Sequence, residues 1–263
     1  MRKFLFLPLL ALLASCGKNE DCDIVTPQPE DLVSPALYAT LSQSSTDPYN
    51  GPLEVLPCET NGSFYIGNYT AKGKQVPFPA YYLITNGIGK SQKYPLRLPV
   101  GTYNVIYWGY PDYFGTAGDA YLADPTLIIG KKLNTTSLGL RKIPGDTVYY
   151  PIHSLVYGTQ NINIGKDDLQ AHLKHASAAL SVIVSETNGD AFSDAIDSMW
   201  IYISNIYSNL NYFSARPEGT FKTISFGLKP STNRTEFNNN FVSVFPSQPN
   251  PMFQIFVQLS NGT

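Results

Sequence analysis

The histidines are the first residues in this sequence whose types and spacing could support metal binding or catalysis. His172 and His175 lie three residues apart and could share one face of a helix, but no cysteine or third histidine nearby completes a metal site. His153 precedes Ser154 without the glycine-flanked turn that presents the nucleophile of a hydrolase. The sequence contains no P-loop, Rossmann glycine pattern or EF-hand loop. We therefore expect a protein that is not an enzyme, with no catalytic residues, no metal site and no cofactor.

Cys16 is the residue most clearly marked for chemistry, because it follows a secretion signal. Arg2 and Lys3 precede an apolar run of about ten residues, too short for a membrane-spanning helix, which needs roughly 20. Residues 13–16 (LASC) have the pattern of a bacterial lipobox, in which the cysteine receives lipid. The alternative is an ordinary signal peptide followed by a chance cysteine. We expect a signal peptide at residues 1–15 and two or three acyl chains on Cys16, enough for stable anchoring to a membrane.

The two remaining cysteines, Cys22 and Cys58, could form a disulfide. The secretion signal directs the chain to an oxidising compartment, where such bonds persist. The bond would join a lipidated tether, which we place at residues 16–35, to the first folded domain. Two unpaired thiols are the alternative, because the sequence does not give the distance between the two Cα atoms.

The composition favours strands and turns over long helices. Charged residues make up 14% of the 263 residues, against a usual figure of about 25%. The chain contains 18 Tyr, 14 Phe, 20 Gly and 20 Pro, which are types enriched in strands and turns. The formal net charge is −2, so no basic excess is available to release counterions from nucleic acid. We therefore exclude nucleic acid as a partner.

Short apolar runs separated by turn residues predict an all-β protein. The clearest strand spans residues 102–108, where alternate residues from Tyr103 to Tyr107 share one face. Asn61-Gly62 and Asn86-Gly87 predict tight turns. Further strands are expected at residues 81–85, 127–129, 148–150, 180–184, 200–207, 221–228, 241–245 and 252–259. Several short strands at this spacing predict β-sandwiches.

Residues 165–178 interrupt this strand pattern. Leu169, Leu173 and Ala176 recur at helical spacing, and Asp167 is placed to cap a helix. A short helix or linking segment is therefore expected here. We place the boundary between two domains at this segment.

This boundary divides the chain into an N-terminal β-sandwich at residues 36–165 and a C-terminal one at residues 166–263. Asp167 and Asp168 could form a pair of carboxylates, but adjacent residues on a helix point in different directions, so capping is the better interpretation. Residues 192–199 could form one or two further helical turns.

Three segments carry a pattern of strand and turn residues that is shared with a known family. They are residues 98–109 (LPVGTYNVIYWG), 153–158 (HSLVYG) and 173–182 (LKHASAALSV). Together with the lipobox, they resemble the FimB-like fimbrial anchor lipoproteins of Bacteroides-type bacteria. The resemblance implies two transthyretin-like β-sandwich domains in tandem, with at most one or two short helices. It also implies lipid attachment to the outer membrane and a position at the base of a fimbrium, with fimbrial stalk subunits as partners.

Two features near the N-terminus bear on this resemblance. Glu20 and Asp21 follow the lipid site closely and resemble the surface-export signal of such lipoproteins, with an ordinary polar tether as the alternative. The related stalk subunits are precursors cut after an arginine near the first strand. No arginine lies between Cys16 and Tyr94, which favours a subunit that keeps its lipid.

The last predicted strand, residues 252–259, is followed by Asn261-Gly262, a strong hairpin signal without a return strand. Either the chain is a C-terminal fragment, which we favour, or the second domain ends with an open edge that a partner fills by strand addition. In both cases we expect this strand to pair on fewer than two sides within the chain. The candidate strand-exchange edge comprises Met252, Gln254, Phe256 and Gln258.

A surface lipoprotein that binds glycan on an exposed aromatic platform is the second interpretation. The 18 tyrosines and two tryptophans could supply that platform. Coplanar exposed rings would favour glycan binding, whereas a groove that accepts a strand would favour the anchor. The fold class alone does not separate the two functions.

Overall fold

The computed structural model describes residues 27–41, 47–91, 94–111 and 122–260, and these form an all-β protein. Within these ranges there is no α-helix, and the only helical segments are two single 3-10 turns, Pro29–Asp31 and Leu133–Thr135. The strands, numbered in chain order, are β1 (Leu32–Val33), β2 (Leu37–Leu41), β3 (Asp47–Pro48), β4 (Gly51–Cys58), β5 (Asn68–Tyr69), β6 (Gln75–Val76), β7 (Ala80–Thr85), β8 (Ile88–Ser91), β9 (Leu98–Pro99), β10 (Gly101–Gly109), β11 (Leu122–Ala123), β12 (Ser137–Leu140), β13 (Val156–Ile164), β14 (Leu169–His175), β15 (Ala178–Leu180), β16 (Ile183–Ser185), β17 (Ile196–Asn211), β18 (Pro217–Pro230), β19 (Glu236–Asn238), β20 (Val242–Val244) and β21 (Phe253–Leu259).

The first large sheet closes on itself through seven strands. Its order is β14-β13-β10-β4-β7-β8-β2, and β14 then pairs in parallel with β2, with Ala171 opposite Ala39. The short strand β3 extends the sheet from β2. Asn86 and Gly87 connect β7 to β8 with φ angles of 51° and 76°, as the predicted two-residue hairpin requires.

The second large sheet is built around the long antiparallel pair β17 and β18. Its order is β11-β12-β17-β18-β19-β16, and β21 pairs with the part of β17 that β12 leaves open. The turn after β17 is held by the Asn211 side chain, whose Oδ1 accepts hydrogen bonds from the N–H groups of Phe213 and Ser214, both at 3.1 Å. The register of the β17–β18 pairing shifts at two places, between Ile203 and Ile206 and between Tyr207 and Asn209.

Strand β10 is buried on both faces and so contributes to two hydrophobic cores. Val105 and Tyr107 belong to the core lined by the closed sheet, whereas Ile106 and Trp108 belong to the core shared with the second sheet. Trp108 Nε1 donates a hydrogen bond to the Tyr212 carbonyl at 3.0 Å, and the two rings stack with centroids 5.6 Å apart. The two sheets are therefore joined by a packed aromatic contact.

The helix expected within residues 165–178 is wrong, because this segment contains strand β14. Leu169, Ala171 and Leu173 are buried at a spacing of two, and the intervening side chains are exposed. Asp167 caps no helix; its Oδ2 accepts a hydrogen bond from Asn163 N–H at 3.1 Å in the turn between β13 and β14. The small side chain of Ala171 weakened the strand signal in the sequence.

The two sheets are not separated at a single point of the chain. The first sheet contains β13 and β14 up to His175, whereas the second sheet contains β11 and β12, which precede them. The domain boundary proposed at residue 165 stays a prediction. Residues 192–199 form no helical turn, because Phe192 lies in a loop and β17 begins at Ile196. Residues 127–129 form no strand. Residues 148–150 form no strand either, but Tyr149 makes two isolated bridges, to Lys142 and to Ile224.

Candidate strand-accepting edge and adjoining groove

Strand β21 pairs with β17 alone among the described strands. The register is antiparallel, with Ile255 opposite Ile201 and Phe256 opposite Trp200. The other edge of β21 meets no strand in the part of the chain that the structure describes. The role of this edge in strand exchange stays a prediction. Met252 precedes the strand, and its carbonyl accepts a hydrogen bond from Ser204 N–H at 3.0 Å.

Both faces of β21 are exposed although most of its side chains are apolar. Ile255 and Val257 lie on the same side of the sheet as the buried residues of β17, and they are 46% and 44% exposed. Phe256 lies on the opposite side and is 57% exposed. Ile201, the partner of Ile255 on β17, is fully buried by contrast. The core face that the alternating sequence predicts is therefore present on β21, but no described element covers it.

Gln254, Phe256 and Gln258 lie on the outer face of β21, together with Trp200 and Tyr202 of β17. Gln258 Oε1 accepts a hydrogen bond from Ser198 Oγ at 3.3 Å, and the rings of Tyr202 and Phe256 meet at 4.9 Å with planes tilted by 60°. This pair is therefore not coplanar. Of the candidate edge residues, Gln254, Phe256 and Gln258 therefore form one row on this face of the sheet.

A groove of about 730 Å³, which we call the outer-face groove, runs across this side of the second sheet. Trp200, Tyr202 and Phe256 lie along its floor, and Asp146 and Tyr150 belong to the segment that forms its wall. It is lined by Ile143, Asp146, Tyr150, Pro151, Trp200, Tyr202, Ser225, Phe226, Phe256, Val257 and Gln258. This groove was not predicted from the sequence, although aromatic residues at the exposed positions of a strand were a usable signal.

Glu54, a carboxylic acid between the two sheets, is a second feature that was not predicted from the sequence. Burial raises the pKa of Glu54 to about 7, and the nearby charge of Asp124 acts in the same direction. Tyr212 donates a hydrogen bond to Glu54 Oε2 at 3.3 Å. A lone acid within the apolar strand β4 was the available signal.

The cysteines predicted as sites fall partly outside the described residues. Cys16 and Cys22 lie there, so lipidation and the disulfide stay predictions. Cys58 is fully buried in the core shared by the sheets and forms no disulfide within the described residues. Burial raises the pKa of its thiol to about 12.

The structure does not bring the three histidines together as a site. His172 Nδ1 forms a hydrogen bond with Thr40 Oγ1 at 3.0 Å, between the parallel strands β14 and β2. His175 is exposed at the end of β14, and His153 lies in the segment before β13. Within the described ranges, no three His, Cys, Asp or Glu side chains are placed to hold a metal ion.

The described residues also contain no helix with the length and hydrophobicity needed to cross a bilayer.

Solved structures align with most of this chain at low sequence identity. A candidate adhesin from Bacteroides ovatus aligns over 88% of this chain and 75% of its own, with 10% identity and a TM-score of 0.56. A second candidate adhesin from Bacteroides ovatus aligns over 89% of this chain and 82% of its own, with 14% identity and a TM-score of 0.50. The fimbrial anchor protein Mfa2 from Porphyromonas gingivalis aligns over 85% of this chain and 77% of its own, with 12% identity and a TM-score of 0.46. No curated protein matches the chain significantly.

The sequence itself matches a protein family over nearly the whole described region. The family model describes fimbrillin-A associated anchor proteins Mfa1 and Mfa2 and matches residues 27–263. The match includes both large sheets and strand β21. The chain therefore belongs to this family of fimbrial anchor proteins, which act at the cell surface and are not enzymes.

Proposed function

We propose that this protein is an outer-membrane lipoprotein that holds a fimbrium to the cell, with a stalk subunit adding a strand to the open edge of β21. Lipid on Cys16 would provide the attachment to the membrane. The fold would consist of two transthyretin-like sandwich domains. Strands β13 and β14 belong to the first sheet, whereas β11 and β12, which precede them in the chain, belong to the second. The observation that carries the proposal is the open, apolar edge of β21.

An unpaired strand edge offers a row of N–H and C=O groups to another chain. Natural proteins protect such edges with charges, prolines or bulges, and β21 (FQIFVQL) contains no charged residue and no proline. An edge of this kind invites aggregation unless a partner covers it. Strand addition satisfies both the backbone groups and the side chains.

The side chains of β21 define the partner strand that would fit. Its two faces present Ile255 and Val257 on one side and Phe256 on the other, all more than two-fifths exposed. A partner strand must therefore carry apolar side chains on both faces, at least near its middle. The seven residues of β21 set the length of the pairing. We expect an uncharged, extended segment of a stalk subunit.

The substitution Ile255→Asp tests this proposal. It places a charge in the middle of the new pairing, where desolvation in the complex is costly. Ile255 is already 46% exposed, so the isolated protein should remain folded, as circular dichroism would show. We expect cells that carry the variant to lose attached fimbriae, seen by electron microscopy, while the protein stays in the membrane fraction.

Ile88→Asp is the matched control. Ile88 lies on β8 in the first sheet and is 55% exposed, so the same change there adds the same charge far from β21. The control should keep its fimbriae. Normal attachment in a correctly folded Ile255→Asp variant would refute strand addition at β21.

A further inference from the structure

The outer-face groove lies away from the position that an added strand would occupy. Neighbouring strands in a sheet are spaced by about 4.8 Å, so a strand added to β21 would lie about 10 Å from β17, which carries Trp200. The wall segment is further still, because Tyr149 pairs with Ile224 on the opposite edge of β18. A partner strand at β21 therefore leaves most of the groove open to another ligand.

Trp200 lies flat on the floor of this groove. Three consecutive atoms of its six-membered ring, Cζ2, Cη2 and Cζ3, are each 3.8 Å from the position that a Cβ on Gly227 would occupy. An edge-on contact would bring Cη2 closest, so the equal distances indicate that the ring faces Gly227. The indole is 41% exposed, which leaves its other face open to the groove.

Polar groups stand beside this aromatic floor. Asp146 Oδ1 accepts a hydrogen bond from Thr147 N–H at 2.5 Å, and its Oδ2 has no hydrogen-bond partner among the described residues. Gln258 uses Oε1 with Ser198, and within the described part of the chain its side-chain amide N–H groups donate to no protein atom. An acceptor and a donor therefore remain available to a ligand on opposite sides of Trp200.

We propose that the outer-face groove binds a neutral glycan, with a pyranose ring stacked on Trp200. The apolar C–H face of a sugar suits the flat indole, and its hydroxyl groups suit Asp146 and Gln258. The volume of about 730 Å³ lies in the range of small-molecule sites and can take more than one sugar ring. The anchor would then bind a surface polysaccharide as well as a fimbrium.

The charge of the lining selects among glycans. No lysine or arginine is among the lining residues that the structure describes, whereas Asp146 is acidic. An anionic sugar would therefore meet repulsion without a compensating cation. Nucleic acid is disfavoured for the same reason.

The rings of Tyr202 and Phe256 are tilted by 60° relative to each other, so they do not form a shared flat surface. Trp200 is therefore the single stacking platform, and the other two rings enclose the sugar from the side.

Titration with neutral hexasaccharides of glucose, mannose, galactose and N-acetylglucosamine tests this proposal. Tryptophan fluorescence is a direct readout, because the only other tryptophan, Trp108, is fully buried. We expect at least one hexasaccharide to bind and to change the emission, and oligogalacturonate to bind more weakly. By calorimetry, Trp200→Ala should weaken binding by about two- to twelvefold, the factor that stacking of this kind is worth.

Further variants separate a binding role from a structural one. Asp146→Asn should keep the fold and the stacking platform but weaken binding severalfold, while Phe241→Ala, which removes a ring that is 79% exposed outside the groove lining, should bind normally. Binding that survives Trp200→Ala, or no binding of any hexasaccharide at 10 mM, about the weakest affinity of interest, would overturn the proposal. Loss of fimbriae by Trp200→Ala without any glycan binding would instead assign the groove to the fimbrial contact.

Discussion

At the residue scale, Glu54 is a carboxylic acid held where the two sheets meet. It lies on β4 opposite Trp108 of β10 and accepts a hydrogen bond from Tyr212, in the turn that follows β17 of the second sheet. Burial raises its pKa to about 7, and burial also raises the pKa of Asp124, whose charge adds to the effect at Glu54. The carboxyl group is therefore largely protonated below neutral pH, and raising the pH places a charge between the sheets.

The stability of the protein should decrease between about pH 4.5 and pH 7. The pKa of Glu54 is higher in the folded state than its usual value of 4.5, so the folded state binds the proton more tightly. This contribution is complete below pH 4.5 and is lost as the pH rises through 7, by at most about 3 kcal/mol. Urea unfolding at several pH values would measure it, and Glu54→Gln should flatten the decrease.

Glu59→Gln is the control for this effect. The substitution is chemically the same, but Glu59 is exposed and lies just after the end of β4. The same flattening in Glu59→Gln would assign the effect to the loss of any negative charge in this region and not to the buried Glu54. Some slope should persist in Glu54→Gln, since Asp124 titrates in the same direction. An unchanged slope in Glu54→Gln would show that Glu54 is charged in the folded protein.

At the element scale, the first sheet depends on β14, the strand that closes it. Gly158 of β13 lets β14 approach closely, since a Cβ at Gly158 would lie 2.8 Å from the His172 carbonyl oxygen. Cβ atoms in proteins are essentially never found this close to a backbone atom. A side chain at position 158 must therefore displace β14. The closure of the sheet therefore requires glycine at this position.

Gly158→Val should destabilise the protein by about 1–3 kcal/mol, the usual cost of forcing extra atoms into a packed site. Gly62→Ala is the control: the nearest atoms to a Cβ there are 3.7 Å away, and its φ lies outside the left-handed region. That change should stay within about 0.5 kcal/mol. Urea unfolding compares the two, and equal stability of Gly158→Val and the wild type would mean that β14 moves without cost.

Strands whose signals are local were predictable from the sequence, and those fixed by distant pairing were not. Residues 81–85 and the turn at Asn86-Gly87 were predicted because the residue types that favour a hairpin turn are adjacent in the sequence. β14 was missed because both helical and strand spacing fit the same leucines. One of its partners, β13, directly precedes it in the chain, but the strand that closes the sheet on its other edge, β2, lies 132 residues away. Tertiary pairing decided between the two periodicities.

At the scale of the whole molecule, the alternating pattern of β21 could be predicted from the sequence, but the elements that surround this strand could not. The sequence predicts a face formed by Phe253, Ile255 and Val257, and a face of this kind is ordinarily covered by a second layer. The structure extends the sheet to β21 while the described elements leave this face open. Which faces are covered depends on the arrangement of all the elements, and this information is absent from any single strand.

An anchor connects two attachments, and separate substitutions should break them with different results. Cys16→Ala removes the proposed lipid, and two or three acyl chains account for stable membrane binding, so the protein should appear in the culture medium still joined to its fimbriae. Ile255→Asp should release bare fimbriae while the protein stays with the membrane. Fractionation with antibodies against each component distinguishes the two outcomes. Membrane-bound Cys16→Ala protein, with no acylated N-terminus in the wild type by mass spectrometry, would contradict the lipid anchor and leave the test of β21 unaffected.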